Sequence, residues 1–270
     1  MTARILITGA AGGLATLLRP RLASADRVLR LLDIAELPAA GEDEHVELIQ
    51  ASITDMAAME AACAGVDAVI HLGGHSLENT WARILDVNID GTHTVLEAAR
   101  RQGVKRVVLA SSNHAVGFVE RADGNADDYQ FPRPDTYYGV SKVALEALGS
   151  LYADRYGMDV VCVRIGSCFE KPKDARMLST WLSPDDAARL FEACLSAPSP
   201  GFRVVWGVSD NTRRWFSLDE AYALGYESKD NAEDYASTVD ESDPDSLAEK
   251  YLGGVWIGPE WDTAVKEAGQ

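Results

Sequence analysis

Short apolar runs alternate with amphipathic stretches from residue 4 to about residue 206. The runs Arg4–Thr8, Val28–Asp33, Val46–Gln50, Ala68–Leu72, Arg106–Ser111, Val160–Ile165 and Arg203–Trp206 have strand length and strand composition. Between them lie helical patterns. Thr16–Ala23 has apolar residues at helical spacing. Thr80–Gln102 carries a stripe of Ile84, Leu85, Val95, Leu96 and Ala99, broken at one polar position, Asn88. Tyr137–Tyr156 is a further long helix, entered from Pro132 and Pro134, which enforce extended backbone before it. Ser183-Pro184-Asp185-Asp186 reads as a helix start, with a serine cap, proline at the first position and acids in the first turn; Pro198 and Pro200 end that helix. Asp185 and Asp186 are therefore expected at a helix start rather than as a catalytic carboxylate pair. Strands alternating with helices predict an α/β fold, a doubly wound parallel sheet with helices on both faces. Past residue 206 the alternation fades. Trp215, Trp256 and Trp261 follow Trp206, and 227–247 is acid-rich with Lys229 as its only base. The expected division is a main domain over 1–206 and a small C-terminal lobe over 207–270. The lobe is expected to build on the ligand crevice and to finish in a partly irregular tail.

Composition narrows the function classes. The chain has 270 residues, 47% of them apolar, which is ample for a core. Its formal net charge of −17 disfavours nucleic acid and anionic membrane surfaces as partners. No apolar stretch approaches the roughly 20 residues that span a bilayer, and Met1 leads straight into a strand, so a cytoplasmic protein is expected. Cys63, Cys162, Cys168 and Cys194 are scattered and read as free thiols. His71 and His75 stand four apart, but His71 ends a strand and His75 lies beyond two glycines. No metal site is expected; His75 reads as a crevice wall and His71 as a hydrogen-bonded strand-end histidine.

Three segments carry chemistry. The first strand runs into Gly9-Ala10-Ala11-Gly12-Gly13-Leu14-Ala15 and then a helix. A glycine turn there lets backbone approach a pyrophosphate lying on the helix N-terminus. Asp33 ends the next strand, where an acid can hydrogen-bond an adenosine ribose; Ile34 and Ala35 offer no cation for a 2′-phosphate, so NAD is expected over NADP. The strand Arg106–Ser111 meets Ser112, whose hydroxyl faces the crevice at the strand's C-terminus. Tyr138 and Lys142 share one helix face four residues apart, so an ammonium can stabilise a phenolate and bring the tyrosine pKa down from about 10. Each segment also has a plainer reading: a tight loop, a strand end, a surface pair.

Taken in order, the glycine turn, Asp33, Leu72-Gly73-Gly74, Asn88, the Ser112 segment and the Tyr138/Lys142 pair resemble the extended short-chain dehydrogenase/reductases over about the first 200 residues. The resemblance implies a Rossmann-type fold, with Tyr138 as general base. Lys142 would hold the cofactor ribose and lower the tyrosine pKa, and Ser112 would orient substrate. It further implies cofactor contacts from Gly9, Gly12, Gly13 and Leu14, from Asp33 and Ile34, from Ser52 and Ile53, and from Leu72, Gly73, Gly74, Asn88 and Ile165. Longer runs are similar to uronate dehydrogenases: Leu72-Gly73-Gly74-His75-Ser76, Ala110-Ser111-Ser112-Asn113-His114, Arg164-Ile165-Gly166-Ser167-Cys168 and Arg176-Met177-Leu178-Ser179-Thr180-Trp181. This implies NAD-dependent oxidation of glucuronate or galacturonate, in cyclic form, at the anomeric carbon to an aldarolactone. Ser76, Asn113, His114 and Ser167 would then contact sugar hydroxyls, and Arg176 the carboxylate, with Arg213 and Arg214 as rivals. A homo-oligomer is also implied. The alternatives are a nucleotide-sugar epimerase or dehydratase, another sugar dehydrogenase of the same family, and a non-catalytic NAD sensor. Net NADH formation from a free uronate separates the first reading from the epimerase and the sensor, and a panel of sugars separates it from other sugar dehydrogenases.

Overall fold

In the computed structural model, which describes residues 3–41, 44–121 and 127–262, seven parallel strands make one sheet. They are β1 (Ala3–Thr8), β2 (Arg27–Asp33), β3 (Val46–Gln50), β4 (Ala68–His71), β5 (Arg106–Ser112), β6 (Asp159–Ile165) and β9 (Phe202–Gly207). A separate parallel pair, β7 (Ser167–Cys168) with β8 (Trp181–Leu182), lies between β6 and β9 in the chain. The order across the sheet is β3-β2-β1-β4-β5-β6-β9. Chain direction across the sheet reverses between β1 and β4, which opens a crevice at the strand C-termini.

Side chains alternate across each strand, and the two faces fill two cores. Ile5, Ile7, Leu29, Leu31, Val108, Val161, Val163 and Val205 belong to one core, with Leu18 of α1 (Gly13–Leu22) and Phe191 of α7 (Pro184–Ser196). Leu6, Leu32, Val107, Leu109, Val160, Cys162 and Val204 belong to the other. There they meet α2 (Met56–Cys63), α4 (Gly91–Arg101) and α5 (Tyr137–Tyr156). Both faces of the sheet are covered, which is why the strands read as nearly continuous apolar runs.

The helix expected over 80–102 is one continuous rod of three parts: α3 (Trp81–Arg83), a π-helical stretch (Ile84–Asp90) and α4. The wider π turn changes the phase of the stripe. Ile84 and Asn88 are buried, whereas Leu85, expected on the same stripe, faces outward at 37% exposure. The serine cap of α7 is present, with Ser183 Oγ accepting from Asp186 N at 2.8 Å. Asp186 itself does more than open a helix. Fully buried, its carboxylate accepts from Ser228 Oγ (2.7 Å), Lys229 N (2.9 Å) and Asp230 N (3.1 Å), and so fastens the C-terminal segment to α7. Beyond β9, Trp215, Phe216, Leu218, Tyr226 and Ala221 of α8 (Asp219–Ala223) join the core that holds α1 and α7. The end of the expected tail, 263–270, lies outside the described residues.

Candidate active site

The glycine turn is shaped by close approach. Gly9 sits at φ +69°, and a Cβ there would lie 2.7 Å from Gly73 N, so neither conformation nor space admits a side chain. The chain then enters α1 at Gly13, where the space that a Cβ would take is open. Asp33 closes the same corner, accepting from Ala11 N at 2.9 Å and from Ala35 N at 3.0 Å. A cavity of about 440 Å³ runs along the strand ends from here. Its walls include Gly9, Gly12, Gly13, Leu14, Asp33, Ile34, Ser52, Ile53, Leu72, Gly73, Gly74, His75 and Ile165. Among the described residues lining it, Lys142 is the only lysine or arginine. A bare backbone cradle at a helix N-terminus and a carboxylate with no cation beside it fit a dinucleotide without a 2′-phosphate.

Asn88 does not line this cavity. It stands behind the wall, accepting from His75 N (2.8 Å) and donating to His75 O (3.0 Å) and Ser141 Oγ (3.1 Å). Expected to contact the cofactor, Asn88 is turned here onto the backbone of His75 and onto Ser141. His71 is bonded on both ring nitrogens, to Thr8 Oγ1 at 2.8 Å and Thr92 Oγ1 at 3.2 Å, and burial pushes its pKa down to about 3. Among the described residues no cluster of three or more His, Cys, Asp or Glu is placed to hold a metal ion.

Tyr138 and Lys142 lie one turn apart near the start of α5. Thr136 caps that helix by accepting from Gly139 N at 3.0 Å, and the Glu78 carboxylate receives Tyr137 N (3.2 Å) and Tyr138 N (2.7 Å). Lys142 Nζ is 5.2 Å from the Tyr138 ring centre and donates to Ala110 O at 2.8 Å. Burial pushes the lysine down to about 8, against the pull of Glu146. It pushes the Tyr138 hydroxyl up to about 12, with Ser112 pulling the other way and Asp135 adding to the rise. The lowering that the Tyr–Lys spacing leads one to expect is outweighed here by desolvation, and the ammonium is turned onto a β5 carbonyl. Glu146 is itself held by Ser111 Oγ (2.6 Å) and by the Arg164 fork, with both bonds at 2.8 Å.

A second cavity, of about 590 Å³, abuts the first; Ser76, Ser112, Tyr138, Gly166 and Cys168 line both. Asn113, His114, Ser167 and Arg176 stand in its wall, so every expected sugar-binding residue reaches one chamber. Several of these groups are held from behind. Asn113 Nδ2 donates to Leu252 O at 2.6 Å. His114 Nδ1 is 2.6 Å from Asp135 Oδ2, and its ring stacks on Trp256 at 4.0 Å. Ser167 Oγ lies 3.1 Å from Thr180 Oγ1. Arg176 donates through Nη2 to Leu252 O, and burial lowers its pKa to about 10. The rivals are spent elsewhere, Arg213 on Glu233 at 2.6 Å and Arg214 on Asp210 at 2.5 Å, and neither lines the chamber. Sequence reasoning missed Asp135, Trp256 and the Leu252 carbonyl. The tryptophan was visible only as part of a Trp-rich tail, and no local pattern places that tail against His114.

Comparison with known proteins agrees with this geometry. The family model described as NAD dependent epimerase/dehydratase family matches residues 5–215. A uronate dehydrogenase of Pseudomonas putida is 46% identical over 258 residues, covering 94% of this chain and 95% of that protein. The crystal structure of a glucuronic acid dehydrogenase from Chromohalobacter salexigens superposes with a TM-score of 0.90 at 41% identity, covering 95% of this chain and 97% of that one. A mutant of the Agrobacterium tumefaciens uronate dehydrogenase, solved in complex with NAD, gives 0.89 at 40% identity, covering 94% and 97%.

Proposed function

This chain belongs to the NAD dependent epimerase/dehydratase family, and from that premise we propose that it oxidises a uronic acid with NAD. The substrate is the cyclic form of glucuronate or galacturonate, and the product is an aldarolactone. One observation carries the reading: Tyr138 and Ser112 stand where the cleft beside the glycine turn joins a chamber that holds the half-buried Arg176. Near-full-length likeness to uronate dehydrogenases supports it.

In this mechanism the cofactor, when bound, supplies the hydride acceptor and a positively charged ring that favours the phenolate. Tyr138 accepts the proton of the anomeric hydroxyl, and the anomeric hydrogen departs as hydride. Ser112 donates to the reacting oxygen and fixes its direction. Lys142 holds the ribose next to the nicotinamide and keeps a cation one turn from the phenolate. Ser76, Asn113, His114 and Ser167 hold sugar hydroxyls. Arg176 holds the carboxylate, since a guanidinium fork matches its two oxygens. Residues 1–206 carry the cofactor, and the described part of the lobe expected over 207–270 completes the sugar chamber between residues 240 and 256. The same reading places the protein in the cytoplasm as a homo-oligomer. A panel of free sugars and uronic acids assayed for NADH formation tests it: uronates should be turned over and neutral sugars poorly. A preference for glucose would leave only an NAD-dependent sugar dehydrogenase.

A further inference from the structure

Three consecutive residues of the C-terminal segment touch the supports of the sugar chamber. The Leu252 carbonyl accepts from both Asn113 Nδ2 and Arg176 Nη2. Gly253 lies so close to Asp135, the carboxylate that holds His114, that a Cβ would collide with its Oδ2. Gly254 sits at φ +64°, and a Cβ there would lie 2.8 Å from Arg176 Nε. That Nε is buried and without a hydrogen-bond partner. The strap is itself anchored, with Leu252 N on Val119 O at 3.0 Å and Gly253 N on Gly117 O at 2.9 Å.

We propose that the strap Leu252-Gly253-Gly254 is a specificity element, setting the guanidinium of Arg176 for the substrate carboxylate through the Leu252 carbonyl and the bare Gly254 backbone. This rests on the reading of Arg176 as the carboxylate binder. The physical argument is one of space and direction. Arg176 is a long side chain with many rotamers, and its charge is useful only in one of them. The carbonyl pins Nη2, while the missing Cβ at Gly254 leaves room for Nε on the same edge of the guanidinium. A methyl group at 254 must push the guanidinium off this position or lift the strap from its anchor. Either way the carboxylate loses its matched fork, whereas the cofactor cleft, whose described lining includes no strap residue, stays in place. The strap is thus a positioning element, and its loss should appear in KM for uronate ahead of kcat.

The test is a mutant cycle with a built-in control. Gly254→Ala should raise KM for glucuronate by about tenfold or more and cut the preference for glucuronate over glucose, with the NAD dissociation constant unchanged. Gly201 has the same φ of +64° but open space around its Cβ position, so Gly201→Ala carries a similar backbone strain without touching Arg176. It should leave KM for glucuronate alone. If Gly254→Ala does not fold, Gly254→Asn places a Cβ at the same point with less left-handed strain. In an Arg176→Ala background either 254 variant should have little further effect, since both act on one interaction. The proposal is overturned if the 254 variants behave like Gly201→Ala, or if their effect persists in full without Arg176. If Arg176→Ala alone leaves glucuronate kinetics intact, the reading beneath it fails instead, a result separable from the other two.

Discussion

At the scale of single residues, the site is a set of groups held away from their ordinary chemistry. Tyr138 is held up at about 12 by burial, and in the proposed mechanism its reactive form is the phenolate. The phenolate fraction grows with pH, so kcat/KM for oxidation should climb from neutral into alkaline solution. Tyr138→Phe should lower kcat by about 10²–10⁴-fold, abolish that climb and leave the NAD dissociation constant unchanged; retention of more than about a tenth of the activity would remove Tyr138 as the base. Asp33 acts at the other end of the cleft. Both its oxygens already accept backbone N–H groups, so the carboxylate is fixed in the cleft wall, and in the proposed reading it stands against a 2′-phosphate. Asp33→Ala should therefore narrow the gap between NAD and NADP, measured as the ratio of kcat/KM values. Equal use of both cofactors by the unmodified protein would contradict this account.

At the scale of elements, α4 and α5 are joined by Glu97. It accepts from Arg100 (2.8 Å), from Arg101 (2.8 Å) and from the Tyr152 hydroxyl (3.1 Å). The Arg100 bond above all holds its pKa at about 2, below the ordinary carboxylate value of about 4.3. A carboxylate lowered on folding stabilises the protein above its unfolded pKa, and that stabilisation fades as pH falls through the folded value. Glu97→Gln should thus lower Tm at neutral pH, and the deficit should shrink between about pH 4 and pH 2. A deficit that stayed constant over that window would assign the loss to packing instead. The π stretch Ile84–Asp90 is the second lesson at this scale. Within it Asn88 lies under the Gly74–His75 loop and bonds to both the N–H and the carbonyl of His75.

For the whole molecule, the net charge of −17 opposes an anionic substrate. The chamber itself carries Asp174, Asp240, Glu241 and Glu249 in its wall beside Arg176. Exposed charges are screened over a Debye length of about 10 Å at 0.1 M salt, whereas the half-buried guanidinium is screened less. Raising ionic strength should therefore lower KM for glucuronate while leaving KM for a neutral sugar unchanged. A rise with salt would mean that cations dominate the approach to the chamber.

Much was legible along the chain because it is local. Strand runs, the glycine turn, the entry to α5, the cap of α7 and the Tyr138–Lys142 spacing depend on residues within a turn or two of one another. All seven strands of the main sheet lie within a residue of where the pattern put them. The twofold use of each strand, one face per core, also follows from alternation alone. Other features needed the folded chain. The direction of the Tyr138 shift depends on how deeply the hydroxyl is desolvated, which spacing does not encode. The phase change at Leu85 accompanies a π stretch in which Asn88 bonds to residues 13 and 53 positions away. The seating of Leu252-Gly253-Gly254 against Asn113, Asp135 and Arg176 joins segments up to 139 residues apart. A contact at that distance leaves no periodicity to read, so only tertiary structure decided which backbone would stand behind the sugar chamber.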